Sequence, residues 1–186
     1  TGQLAIMSFG LGTVATRYVV LYNTQKKKKD KENFLFLIYT ISAFLVFGVI
    51  VIGAILYSCM DMIYTKSLTN GELVIAKKLC FILIINVALS ILCDAFSGII
   101  RAYEQFVVSN ILSTFRLVLR LLSIIILLSL GVKSIGVVIT DLSITIVILL
   151  FNVIYVRFKL KERAKYYRFD KKLIAEIATF TLAVFL

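Results

Sequence analysis

Six stretches of this chain are apolar for long enough to cross, or begin to cross, a lipid bilayer, and only short charged connectors separate them. A hydrocarbon core of about 30 Å requires about 20 helical residues. Residues 34–60, 73–100, 106–130 and 134–156 meet that length, residues 4–22 just meet it, and residues 173–186 begin a further span. Each segment must satisfy its own N–H and C=O groups where there is no water, so each is expected to be a helix. With 61% hydrophobic residues and a mean hydropathy of +1.01, the chain carries more apolar surface than a soluble core of this size could hide. The expected fold is all-α, a polytopic transmembrane helix bundle.

The spans divide the chain into a bundle over residues 1–157, a basic linker over 158–172 and the start of another helix over 173–186. A sequence that opens and closes inside apolar runs is expected to be a piece of a longer protein. Cys59, Cys80 and Cys93 lie in or beside apolar spans without metal-ligand spacing, and read as small hydrophobes. The absence of His removes the commonest catalytic base and metal ligand together.

The formal net charge of +11 is concentrated in two places: five basic residues over 26–31 and eight over 157–172. Both runs connect apolar spans, as the positive-inside rule expects of cytoplasmic loops, and this excludes a nucleic-acid reading. Alternation then puts the connectors at 61–70 and 131–133 outside, and that at 101–105 inside. Thr69 and Glu72 have the spacing of a helix-capping box, and Gly131 suits a helix end. The stretch 159–172 interleaves basic residues with Leu160, Tyr166, Tyr167 and Phe169, a pattern suited to lying on anionic inner-leaflet lipids.

Polar residues inside the spans are few and aligned. At about 100° per residue, Asn86, Ser90, Cys93, Asp94, Ser97, Arg101 and Glu104 share roughly a third of one helix. Ser109, Ser113, Arg116, Arg120 and Ser123 form a stripe on the next, and Ser134, Asp141, Thr145 and Asn152 on the one after. The span 34–60 carries only Thr40 and Ser42 near one end and reads as lipid-facing. The glycines at 10, 12, 48 and 53 read as close-packing points or flexible joints.

A charge at the centre of a bilayer helix costs about 2.5–3.5 kcal/mol on insertion scales, so such residues face an interior or a wet cavity. Arg116 and Arg120 need anions from elsewhere. Two readings stand: ion pairs with Asp94 and Asp141 that hold the bundle together, or a cationic cavity for an anionic substrate. Depths counted at about 1.5 Å per residue predict Asp94 near Arg116 and Asp141 near Arg120. Enzyme chemistry has little material, since the external connectors offer Asp61 alone, and no cofactor motif is present.

Three segments carry a resemblance to a known family: Ser8-Phe-Gly-Leu-Gly-Thr13 followed by Arg17-Tyr18, then Ser97-Gly-Ile-Ile-Arg-Ala-Tyr-Glu-Gln-Phe106, and Arg168-Phe-Asp-Lys-Lys-Leu173. Their order and spacing resemble the polysaccharide flippases, the O-antigen and capsule repeat-unit exporters of the multidrug/oligosaccharidyl-lipid/polysaccharide exporter superfamily. The resemblance implies that these spans are similar to helices two to six of the amino-terminal lobe plus the start of helix seven. It also implies a cytoplasmic (inner) membrane protein that flips an undecaprenyl-pyrophosphate-linked oligosaccharide by alternating access, with coupling to a proton or sodium gradient expected of some members of the family. The cavity candidates are then Arg116, Arg120, Asp94, Asp141, Arg17, Asn86 and Ser113. The missing first helix and second lobe imply that this segment does not transport alone. The competing readings are a multidrug or organic-cation exporter of the same superfamily, which calls for an acidic cavity, and a membrane-embedded polysaccharide polymerase or ligase, which calls for a large external loop.

The orientation is directly testable. Single cysteines placed at Lys28 and at Lys165 should both be labelled from the cytoplasmic side, and a periplasmic label at either site would overturn it.

Overall fold

The computed structural model describes residues 11–64, 70–103, 106–129 and 134–160, and every element within them is helical. In chain order these are α1 (Leu11–Thr24), α2 (Lys28–Tyr64), α3 (Asn70–Ala102), α4 (Phe106–Ser129) and α5 (Ser134–Ile154), which runs on into a π-helical turn at Tyr155–Lys159. Four of the helices are long and apolar enough to cross a membrane: α2, α3, α4, and α5 with its π turn. The protein is a multi-pass, all-α membrane bundle. The described part of the first expected span, α1, has 14 residues. The expected linker beyond Leu160, the helix start at 173, the Thr69 cap and Gly131 lie outside the described residues.

Helices extend past the apolar spans wherever the backbone ladder can continue. The basic run at 26–31 was expected to be a loop, yet the turn is confined to residues 25–27 and α2 begins at Lys28. Likewise α2 continues through Asp61 to Tyr64, and α3 through Arg101 to Ala102. Hydropathy marks where hydrocarbon ends; a helix does not stop there, because lysine and arginine are good helix formers whose stems reach outward to water.

The packed core sits at the end of the bundle where α1 meets α2. On α1, Leu11, Val14, Ala15, Tyr18 and Val19 are buried at the spacing of a single helix face. They meet Phe34, Leu35 and Ile38 of α2 and Ala95, Ile99 and Ile100 of α3 in one cluster. Tyr18 stacks on Phe34 with ring centroids 5.1 Å apart, and Tyr39 meets Phe96 at 5.0 Å. This corrects the lipid-facing reading of span 34–60. Its first turns, down to the fully buried Ser42, belong to the core, whereas Phe44, Phe47, Ile52, Ile55 and Leu56 are exposed. Ser42 is accommodated because its hydroxyl donates to the Ile38 carbonyl at 2.8 Å.

α3 is the central helix, packed against α1, α2 and α5. Its buried residues, from Asn86 through Ile91 and Ala95 to Ala102, lie around its circumference, as a surrounded helix requires. The crossing with α1 is closest at Gly12 and Gly98. A Cβ on Gly98 would collide with the Gly12 carbonyl oxygen and Cα. Thr16 bridges the same crossing, its hydroxyl shared between the carbonyls of Gly12 at 2.8 Å and Gly98 at 2.9 Å. Gly53 plays a similar part on α2, leaving room for Ile84. Gly48 does not, since its surroundings are open, so the close-packing reading fails at that position.

Gly98→Ala should therefore force α1 away from α3 and destabilise the protein by about 1–3 kcal/mol, whereas Gly48→Ala should be neutral or slightly stabilising. Thermal unfolding in detergent compares the two; equal melting temperatures would contradict the close crossing.

Candidate functional site

The polar stripes of α3, α4 and α5 meet along one seam. At its end nearest the π turn, Asn152 of α5 is fully buried and its amide donates to Ser97 Oγ at 3.0 Å and Cys93 Sγ at 3.3 Å on α3. Farther along, Thr145 is also fully buried; its hydroxyl donates to the Asp141 carbonyl at 2.9 Å and accepts from Arg116 at 2.9 Å. Arg116 also donates to Ser90 Oγ on α3 at 3.3 Å. Beyond that, Asp141 accepts from the Asn86 amide at 2.8 Å and pairs with Arg120 Nε at 3.5 Å.

The seam forms because the polar residues recur at one-turn spacing on each helix: 86, 90, 93 and 97 on α3, 116 and 120 on α4, and 141, 145 and 152 on α5. Between lipid-facing helices there is little hydrophobic drive to associate, so these contacts and small-residue packing decide the register. α4 shows this most plainly: Ser109 is its only buried residue among those described, and it leans on α5 more than on α3. Ser113 and Ser123 make no cross-helix hydrogen bond among the described residues, donating instead to the Ser109 and Leu119 carbonyls of their own helix.

The expected pairing of Asp94 with Arg116 does not form. Asp94 Oδ2 accepts the Gly12 N–H at 2.9 Å, and Oδ1 faces Arg101 at 3.7 Å. The physical reason is the α1–α3 crossing. A carboxylate one turn before Gly98 lies against the backbone of α1 and takes its N–H, with the Arg101 guanidinium on the same face of α3. Arg116 is left with two hydroxyls and, among the described residues, no carboxylate. The expected pairing of Asp141 with Arg120 does form. Arg17 lies on the exposed side of α1 and Ser113 on the exposed side of α4; Glu104 lies outside the described residues.

Charge and satisfaction are both incomplete in the seam. Three guanidiniums, Arg101, Arg116 and Arg120, stand against two carboxylates, Asp94 and Asp141, leaving a surplus of one positive charge. Two buried amide oxygens, Asn86 Oδ1 and Asn152 Oδ1, accept no hydrogen bond, and Asp141 Oδ1 has only the 3.5 Å ion-pair approach of Arg120. An unsatisfied buried acceptor costs about 1–3 kcal/mol, so their concentration in one seam is unusual. Sequence reasoning identified the stripes but not the role of Gly12, whose N–H is the partner that removes Asp94 from Arg116. No family model, curated protein or solved structure matches this chain.

Asp94 performs two tasks, and substitution should separate them. Asp94→Asn retains an acceptor for Gly12 but loses the charge facing Arg101; Asp94→Ala loses both. Unfolding should rank Asp94→Ala as more destabilising than Asp94→Asn, by about 0.6 kcal/mol, the average for hydrogen bonds between membrane helices, and by no more than about 1.7 kcal/mol. Equal effects would mean that the Gly12 contact contributes nothing.

Proposed function

We propose that the chain is part of a transporter that flips a lipid-linked oligosaccharide bearing a pyrophosphate, with the α3–α4–α5 seam as part of the substrate path. The observation that carries this reading is Arg116, a guanidinium well inside a membrane span that two hydroxyls hold and no carboxylate among the described residues neutralises. With Asp94 engaged by α1, the surplus charge favours the cationic-cavity reading over that of a purely structural ion-pair network.

The chemistry fits a diphosphate. Arg116 and Arg120 stand one turn apart on α4, about 6 Å along the axis, and each fork-shaped guanidinium can take two phosphate oxygens. Arg120 is half-exposed while its partner Asp141 is largely buried, so an arriving anion can reach Arg120 without displacing the carboxylate. Ser90 and Thr145 keep Arg116 extended from α4 until a phosphate replaces them as acceptor. The amide oxygens of Asn86 and Asn152 are buried acceptors without a donor, and a seam that opens to a glycan would offer them sugar hydroxyls. An organic-cation exporter would call for a net negative seam, the opposite of the charge balance here.

The test is complementation of a strain lacking its own oligosaccharide flippase by the protein that carries this chain. Arg116→Ala should insert and accumulate normally yet reduce surface glycan by an order of magnitude or more, since a bond to a charged group contributes about 1.5–3 kcal/mol. Arg116→Lys should recover part of the loss. Full complementation by the alanine variant would reduce Arg116 to a structural residue.

A further inference from the structure

We infer that the cleft at the turn between α1 and α2 is a binding site for the phosphate headgroup of an anionic phospholipid, separate from the α3–α4–α5 seam and independent of the transport reading. The cleft has a volume of about 160 Å³ and is lined by Tyr22, Asn23, Lys26, Lys28 and Lys31. It shares Asn23 with a neighbouring hollow of about 250 Å³ lined by Val20, Thr24, Ala102 and Tyr103. A lysine-lined chamber thus adjoins an uncharged one of mixed polar and apolar walls, the arrangement that a headgroup and its glycerol would use.

Position supports a lipid. Lys28 opens α2 six residues before its apolar span begins at residue 34, about 9 Å along the axis, which puts the cleft at the level of the headgroups rather than of the hydrocarbon. Basic pockets between transmembrane helices at this level are suited to anionic headgroups. The side chains are arranged for an anion. Lys31 is held in place, donating to Asn23 Oδ1 at 3.0 Å and Tyr103 OH at 2.8 Å, with its ammonium 5.5 Å from the Tyr103 ring centroid. The side-chain ammonium groups of Lys26 and Lys28 make no hydrogen bond or ion pair among the described residues; only their backbone N–H groups are engaged, with the Asn23 and Lys26 carbonyls. Asp30 and Glu32 follow in the same stretch of α2, but no carboxylate lines the cleft. Compact ammonium groups act as point charges toward phosphate oxygens, each able to take a different one.

The backbone fixes the position of Lys26. Its φ of 54° is the left-handed position of a Schellman cap on α1, in which the Lys26 and Lys27 N–H groups donate to the Asn23 and Tyr22 carbonyls at 3.1 Å, a conformation that glycine or asparagine would adopt more cheaply. The cap thus holds the Lys26 backbone in place where its residue lines the cleft. The bland alternative is diffuse attraction of the whole basic run to a negatively charged surface. The sequence itself provides the control, because Lys27 and Lys29 carry the same charge but do not line the cleft.

Native mass spectrometry on the full protein in neutral detergent, with phosphatidylglycerol or phosphatidylcholine added, distinguishes these cases. Removing two lysine contacts with Lys26→Gln/Lys28→Gln should weaken retention of phosphatidylglycerol about tenfold or more, while Lys27→Gln/Lys29→Gln changes it less than about twofold and phosphatidylcholine is unaffected. Lys26→Gly is a further check: it relieves the left-handed strain, so it should melt no lower than the parent while still losing lipid affinity. Equal losses from the two double variants would overturn the site in favour of diffuse attraction. Unchanged phosphatidylglycerol retention in Lys26→Gly would also overturn it. Complete displacement of the lipid by millimolar inorganic phosphate would reassign the cleft to a soluble anion and overturn the lipid assignment.

Discussion

The close crossing of α1 over α3 governs both the core and the charge arrangement. Gly98 has no Cβ, so the backbone of Gly12 can lie directly on α3, and the Thr16 hydroxyl ties the two carbonyls together. That approach brings the Gly12 N–H within reach of Asp94, one turn away from Gly98 on the same helix face. In a bilayer, apolar side chains gain little from meeting each other rather than lipid, so a crossing set by small residues and backbone-directed hydrogen bonds carries unusual weight. The aromatic cluster of Tyr18, Phe34, Tyr22, Tyr39 and Phe96 fills the space beside it.

The same contact sets the electrostatics several turns away. By engaging Asp94 with α1 and Arg101, it leaves Asp141 as the one carboxylate, among the described residues, beside Arg116 and Arg120. Breaking a buried ion pair by removing one partner costs more than never having formed it, so the placement of Asp94 determines which guanidinium lacks a counter-ion. Arg116 is the residue left in that position, held by Ser90 and Thr145. Hydroxyls are acceptors that can turn away at little cost, which makes them suitable holders for a cation that must exchange partners.

The two ends of the bundle are built differently. At the α1–α2 end the helices are packed into a continuous core, with lysines and tyrosines at the membrane edge. Toward the other end α2 presents Phe44 through Leu56 outward, and α4 presents apolar side chains along nearly its whole length. Apolar exposure on this scale is ordinary for helices in lipid, whose tails replace the side-chain neighbours that a soluble protein would have to supply.

Much of this was legible in the chain itself. Continuous apolar runs of about 20 residues and more determine an all-α membrane bundle, because in lipid only helices and closed barrels satisfy their backbone hydrogen bonds and barrel strands are half as long and alternate in polarity; the one-turn recurrence of Asn86, Ser90, Arg116, Arg120, Asp141 and Thr145 marks the faces that meet. Depth counting placed Asp141 beside Arg120, because those two helices are antiparallel neighbours joined by a short connection. It failed for Asp94, since periodicity describes one helix at a time and carries no record of a third backbone approaching through two glycines. It also failed for the first turns of α2, where Phe34, Ile38 and Ser42 look no different in composition from the lipid-facing turns that follow. Which apolar face meets protein and which meets lipid, and which carboxylate reaches which cation, depend on how closely helices cross; that is decided by the tertiary packing of Gly12 against Gly98, not by any local pattern.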